Sequence, residues 1–72
     1  MLKLYTASWC KSCTALKQVL DNNEIEYIKV DIDLEPDEPR NLNIKAIPTL
    51  YNTNTEERRI GLLTLEQIKA FM

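Results

Sequence analysis

The 72-residue sequence contains no histidine. That removes imidazole acid–base catalysis and most zinc sites built on nitrogen ligands. It has one glycine, Gly61, and two cysteines, Cys10 and Cys13. Two cysteines are too few for a disulfide-stapled scaffold. No apolar run approaches the roughly 20 residues that span a bilayer. Nine basic residues against eleven acidic ones leave a formal charge of −2, so no strong field attracts nucleic acid or an anionic membrane. The stretch Met1-Leu2-Lys3-Leu4-Tyr5 lacks the long apolar segment and small-residue cleavage site of a secretory leader. A reducing cytoplasm is therefore the expected compartment. The acidic stretch from Asp31 to Glu38 lacks the glycine that a calcium loop needs at its sharp turn. It reads as a solvated strand end, and Arg58-Arg59 reads as surface charge.

The composition that remains, 44% hydrophobic and 28% charged, suits one small globular domain over residues 1–72. Leu2 to Tyr5 alternates and predicts a first strand. Cys13, Leu16, Val19 and Leu20 recur at helical spacing, which predicts a helix from Cys10 or Lys11 to about Asp21. Asp21-Asn22-Asn23 should end it, with an asparagine in the left-handed turn. Ile28, Val30 and Ile32 alternate with polar residues and predict a strand over Ile25 to Asp33. A short helix follows, capped by Asp37 or Glu38, with Pro39 in its first turn and Leu42 and Ile44 facing inward. Pro48–Tyr51 and Glu57–Ile60 predict a hairpin around Asn52–Thr55, with an asparagine supplying any positive φ. Thr64 and Gln67 have capping-box spacing. Leu63 and Ile68 are placed as a hydrophobic staple, and Leu65, Ile68 and Phe71 form a stripe. The fold class is α/β: β-α-β-α-β-β-α, a four-stranded mixed sheet with helices on both faces. Tyr5, Tyr27 and Tyr51 fall on strands as packing or rim residues.

The chemistry lies in Trp9-Cys10-Lys11-Ser12-Cys13, where the first strand gives way to the first helix. A helix start offers unpaired N–H groups and the positive end of the dipole, which favour a thiolate at Cys10. Lys11 adds charge of the same sign. Three-residue spacing puts both sulfurs on one helix face, with Cys10 outermost and Cys13 one turn inward. Cys10 is thus the nucleophile and Cys13 the resolving thiol. Three other readings compete. A purely structural disulfide closes so short a loop that it contributes only about 2 kcal/mol. A metal or cluster site would need a second chain to supply ligands, because structural zinc takes four. Two inert buried thiols require Cys10 to be deeply covered.

Ala7-Ser8-Trp9-Cys10-Lys11-Ser12-Cys13 resembles the active-site stretch of the thioredoxin superfamily. Asn43 to Leu50, with Ile47-Pro48-Thr49, resembles the segment that carries that family's cis-proline, and Ile60-Gly61-Leu62-Leu63-Thr64 resembles the stretch before its last helix. The three motifs occur in the family's order and span essentially the whole chain. The resemblance implies a disulfide reductase cycling between a Cys10/Cys13 dithiol and disulfide. It implies a cis Ile47–Pro48 bond beside the sulfurs and a docking surface of Trp9, Lys11, Ser12, Ile47, Pro48 and Gly61. It further implies client proteins with disulfides, no cofactor, and a monomer. Thioredoxin reductase is the implied electron donor. The length is that of glutaredoxins and of the glutaredoxin-like hydrogen donors to ribonucleotide reductase, which makes that enzyme a candidate client. Leu4 stands where thioredoxins place a buried carboxylate, so proton handling for Cys13 falls to water, substrate or Lys29. Leu62-Leu63 replaces the residues with which glutaredoxins help hold glutathione, which argues against glutathione as donor. A binding module that uses the same surface without redox turnover is the alternative from a different class.

Overall fold

A computed structural model describes residues 1–72. The elements are β1 (Leu2–Thr6), α1 (Lys11–Asn22), β2 (Ile28–Asp31), α2 (Asp37–Asn41), β3 (Thr49–Asn52), β4 (Glu57–Ile60) and α3 (Leu65–Phe71). They build one four-stranded sheet in the order β2-β1-β3-β4. β1 runs parallel to β2, with Lys3 opposite Ile28 and Thr6 opposite Asp31. It runs antiparallel to β3, with Leu4 opposite Leu50, and β4 closes the hairpin on β3. No helix is long and apolar enough to cross a membrane.

The strand period of two sorts the side chains of β1 between the faces. Leu2 and Leu4 join Leu50 of β3, Leu16 and Leu20 of α1, and Ile68 and Phe71 of α3 in the main core. Each fully buried leucine there contributes about 1.5–3 kcal/mol. Lys3 and Tyr5 face the other way and meet α2. The Lys3 ammonium and the Tyr5 hydroxyl both donate to the Glu38 carboxylate, and Arg58 Nη1 donates to the Leu42 carbonyl at 2.7 Å. Helices therefore cover both faces, as the pattern predicts: α1 and α3 on one, α2 on the other.

Several local expectations are corrected. β2 covers only Ile28–Asp31 rather than Ile25–Asp33. It is an edge strand, and its one partner is five residues long. Past Asp31 the chain turns, with Leu34 N and Glu35 N both donating to the Asp31 carbonyl. Ile28 is 45% exposed although its alternation with Val30 pointed inward, because a five-residue α2 is too short to cover that whole face. α2 is capped by Pro36 with no side-chain bond, instead of by Asp37 or Glu38. Glu38 is engaged with Lys3 and Tyr5 instead. The buried residue of α2 is Pro39, and Leu42 and Ile44 lie beyond it, half-buried.

The left-handed positions are Glu24, Asn43 and Glu56. At the end of α1, Asn23 keeps φ at −106° and Glu24 takes the turn. In the hairpin, Asn52 accepts the Asn54 N–H on its side-chain oxygen, and the reversal is completed by Glu56, whose N–H donates to the Asn52 carbonyl. At α3 the capping box is present in both directions: Gln67 N donates to Thr64 Oγ1 and Thr64 N to Gln67 Oε1. Leu63 and Ile68 are both buried in the main core, as a staple requires. Leu65 is only half-buried, so Ile68 and Phe71 carry the stripe.

Candidate functional site

β1 ends at Thr6, and the loop of Ala7, Ser8 and Trp9 turns back at once, with Cys10 N donating to the Ala7 carbonyl at 3.2 Å. This turn delivers Cys10 to the N-cap of α1. Its backbone is extended there (φ −91°, ψ 112°) and its sulfur accepts the N–H of Cys13 at 3.2 Å. A sulfur thus stands where serine or aspartate oxygen stands in ordinary caps. The Cys10 carbonyl accepts from the backbone N–H and the hydroxyl of Thr14. No acidic residue lies in the first turn of α1, so nothing there offsets the positive end of the helix dipole. Cys10 and Cys13 are joined as a disulfide with their Cα atoms 5.2 Å apart. Cys10 is 9% exposed and Cys13 fully buried. The outer and inner placement of the two sulfurs follows the sequence expectation.

Ala7, Ile32 and Ile47 pack around the pair in a small apolar cluster separate from the main core. Ile47 arrives there from the loop before β3, and the Ile47–Pro48 bond is cis. Two hydrogen bonds hold that loop. Thr49 Oγ1 donates to the Ala46 carbonyl at 2.6 Å, and Gly61 N donates to the Pro48 carbonyl at 2.8 Å. Gly61 has φ +96°, and a Cβ there would meet nothing within 4 Å. The demand for glycine is therefore conformational and not one of space. Trp9 is 66% exposed and its indole N–H donates to Asp33 Oδ2 at 2.9 Å. Asp33 is held in turn by its own N–H donating to Asp31 Oδ1.

The structure brings Cys10, Cys13 and Ile47 into contact, with Pro48 behind Ile47 and Gly61 bonded to Pro48. Trp9, Lys11 and Ser12 stand exposed around them. Lys29 is exposed on the edge strand opposite Leu4. It lines a hollow with Met1, Asp21, Ile25, Tyr27 and Ile28 rather than joining the cluster around the sulfurs. Asp33 and Ile32 are the residues that sequence reasoning missed. The alternation through Ile32 marked it as inward-facing but not as a wall of the site. Nothing in the sequence alone pairs Asp33 with Trp9. None of the surface hollows is lined by either cysteine. With no hollow at the sulfurs and Trp9 exposed next to Cys10 in the chain, the site suits a macromolecular substrate better than a small molecule.

A family model described as glutaredoxin matches residues 2–55. The thioredoxin of Pseudomonas aeruginosa is 31% identical, over 94% of this chain and 71% of that protein. A chloroplastic thioredoxin-like protein of Oryza sativa, CITRX, is 28% identical, and this chain spans 40% of its length. Among solved structures, the glutaredoxin-like NrdH-redoxin of Escherichia coli superposes with a TM-score of 0.80 at 18% identity, covering 99% of this chain and 93% of that one.

Proposed function

The chain belongs to the glutaredoxin family and is a redox protein of thioredoxin-like fold, and from that premise we propose that it reduces disulfides in client proteins. The observation that carries this reading is the helix-capping position of the Cys10 sulfur, the more exposed of the two at 9%, with Cys13 fully buried one turn behind it. In the dithiol form the Cys10 thiolate attacks one sulfur of a client disulfide. A mixed disulfide forms and the client's other sulfur leaves as a thiolate, which takes up a proton. Cys13 then loses its proton and attacks Cys10 Sγ. The Cys10–Cys13 disulfide forms and the second client sulfur departs. The client gains two electrons and two protons, and the cysteine pair gives up both.

Trp9, Lys11, Ser12, Ile47, Pro48 and Gly61 form the docking surface in this proposal. The Ile47 backbone offers an edge on which an extended client segment pairs as an added strand. Exposed Leu62 lies after Gly61 where a glutathione-holding polar group would be useful. This favours a dithiol donor of thioredoxin-reductase type over glutathione. A cytoplasmic, monomeric, one-domain reductase with ribonucleotide reductase among its clients is the fuller form of the proposal. Water reaching Cys10 and the client, rather than Lys29, moves the protons.

The test is turnover of a disulfide-bonded protein such as insulin, driven by dithiothreitol. Cys10→Ser is expected to abolish turnover, and Cys13→Ser to accumulate mixed disulfides with substrate. Full activity in Cys10→Ser would refute the reading. A double Cys→Ser variant with undiminished cellular function would favour a binding module.

A further inference from the structure

One buried side-chain oxygen in this protein has no hydrogen-bond partner, the hydroxyl of Thr6. Thr6 is the last residue of β1 and is 2% exposed. Its carbonyl is satisfied by Ile32 N at 2.9 Å, so the deficit lies in the side chain alone. Burying a hydroxyl with no partner is costly, and an orphan of this kind in a small fold calls for a physical reason.

Its place in the fold supplies one. Alternation along β1 puts Thr6 on the face of Leu2 and Leu4, which pack with Leu16 and Leu20 of α1. The turn at Ala7 sends α1 back along the strand. The buried stripe of α1 therefore passes from Leu20 through Leu16 to Cys13 as β1 passes from Leu2 through Leu4 to Thr6. The next residue, Ala7, shares a buried cluster with both cysteines, which places this end of the strand near the sulfurs. In the disulfide, the Cys13 sulfur is bonded to Cys10 and is a weak acceptor. In the dithiol it becomes a thiol or thiolate, able to donate or accept strongly.

We propose that the Thr6 hydroxyl is the partner of Cys13 in the reduced protein, satisfied in the dithiol and orphaned in the disulfide. It stabilises the buried Cys13 thiolate as that sulfur attacks the mixed disulfide, and again when an external dithiol opens the Cys10–Cys13 bond and Cys13 departs. One strand-repeat earlier on this face stands Leu4, fully buried in the main core and with no group that could handle a proton. This inference rests on the redox reading above.

The test is the equilibrium between the protein and defined ratios of reduced to oxidised dithiothreitol, for wild type, Thr6→Val, Thr6→Ala and Thr6→Ser. Thr6→Val keeps shape and removes the hydroxyl. It is expected to shift the equilibrium about tenfold toward the disulfide, the size of one ordinary hydrogen bond, or about 30 mV for a two-electron couple. Thr6→Ala shifts it the same way, and Thr6→Ser stays within about threefold of wild type. Both redox forms of one variant are compared, so a packing loss common to both cancels. A Thr6→Val equilibrium within twofold of wild type, or a Thr6→Ser shift as large as that of Thr6→Val, would overturn the inference and leave the redox reading standing. A wild-type pair that does not exchange with dithiothreitol at all would remove both.

Discussion

Removing Glu38 should loosen the α2 side of the sheet by an amount that depends on Tyr5. The Glu38 carboxylate accepts from the Lys3 ammonium and from the Tyr5 hydroxyl, the latter at 2.9 Å. Lys3 holds it below the usual carboxylate range, with Tyr5 adding to the effect against the opposing cost of burial. The ion pair is partly exposed, at 27% and 35% of the two side chains, and is worth under about 1 kcal/mol. Tyr5 is fully buried, so Glu38→Ala strands a phenolic hydroxyl at a cost of about 1–3 kcal/mol. The total is about 1–4 kcal/mol, which for a domain of this size lowers Tm by roughly 4 °C or more. In a Tyr5→Phe background only the ion pair is lost, and Glu38→Ala should cost under about 1 kcal/mol. Urea unfolding of the four proteins at pH 7 measures the coupling, expected at about 1–3 kcal/mol. An equal cost of Glu38→Ala in both backgrounds would refute the tether.

The same network fixes a pH dependence. The Tyr5 hydroxyl is pushed well above the ordinary phenol range, by burial first and by Glu38 second. The fold therefore holds the neutral phenol. That stability is fully present below about pH 10, where the unfolded tyrosine titrates, and is lost as pH rises beyond it. Tyr27 is shifted the same way by burial and Asp21, so the diagnostic quantity is a shallower alkaline decline in Tyr5→Phe than in wild type; parallel declines would contradict the assignment. Glu38 acts at the opposite end. Its folded value is lowered, so its contribution is present above about pH 4.3 and fades as pH falls further, and Lys3→Met should flatten that acid limb. At α3, Thr64→Ala removes one side of the capping box and should cost about 1 kcal/mol, with Thr64→Ser recovering most of it; a neutral Thr64→Ala in thermal melts would count against the cap.

Side chains whose neighbours are set by period alone were legible in the sequence. Leu2 and Leu4, Leu16 and Leu20, and Ile68 with Phe71 all land in the main core, and Thr64 with Gln67 forms its box. The cysteines are placed by the same logic, because strand end, tight turn and helix start follow one another within a few residues. Errors arose where tertiary demand overrode local preference. Glu24 takes a left-handed turn next to Asn23, and Glu56 does so two residues after Asn54, although asparagine favours that conformation more. Glu38 bonds to the sheet and not to its own helix end. β2 stops at Asp31, opposite the last residue of its partner, although its alternation continues. At the site, the bond from Trp9 to Asp33 joins residues 24 apart, and no local pattern encodes a contact of that span. The unpaired Thr6 hydroxyl is invisible to any one-dimensional reading, since the sequence does not tell which polar groups are buried without a partner.

The account turns on the charge state of one sulfur. Cys10 caps α1, receives the Cys13 N–H and faces a first turn with no acidic residue. A charge-assisted hydrogen bond and the positive end of the helix both favour the thiolate and lower the thiol from its free value of about 8.5. The most direct measurement is the pH dependence of iodoacetamide alkylation at Cys10 in the fully reduced, folded protein, with the modified residue located by mass spectrometry. The account predicts a midpoint clearly below the free-thiol value of about 8.5. A midpoint at or above about 8.5 in the folded chain would contradict it.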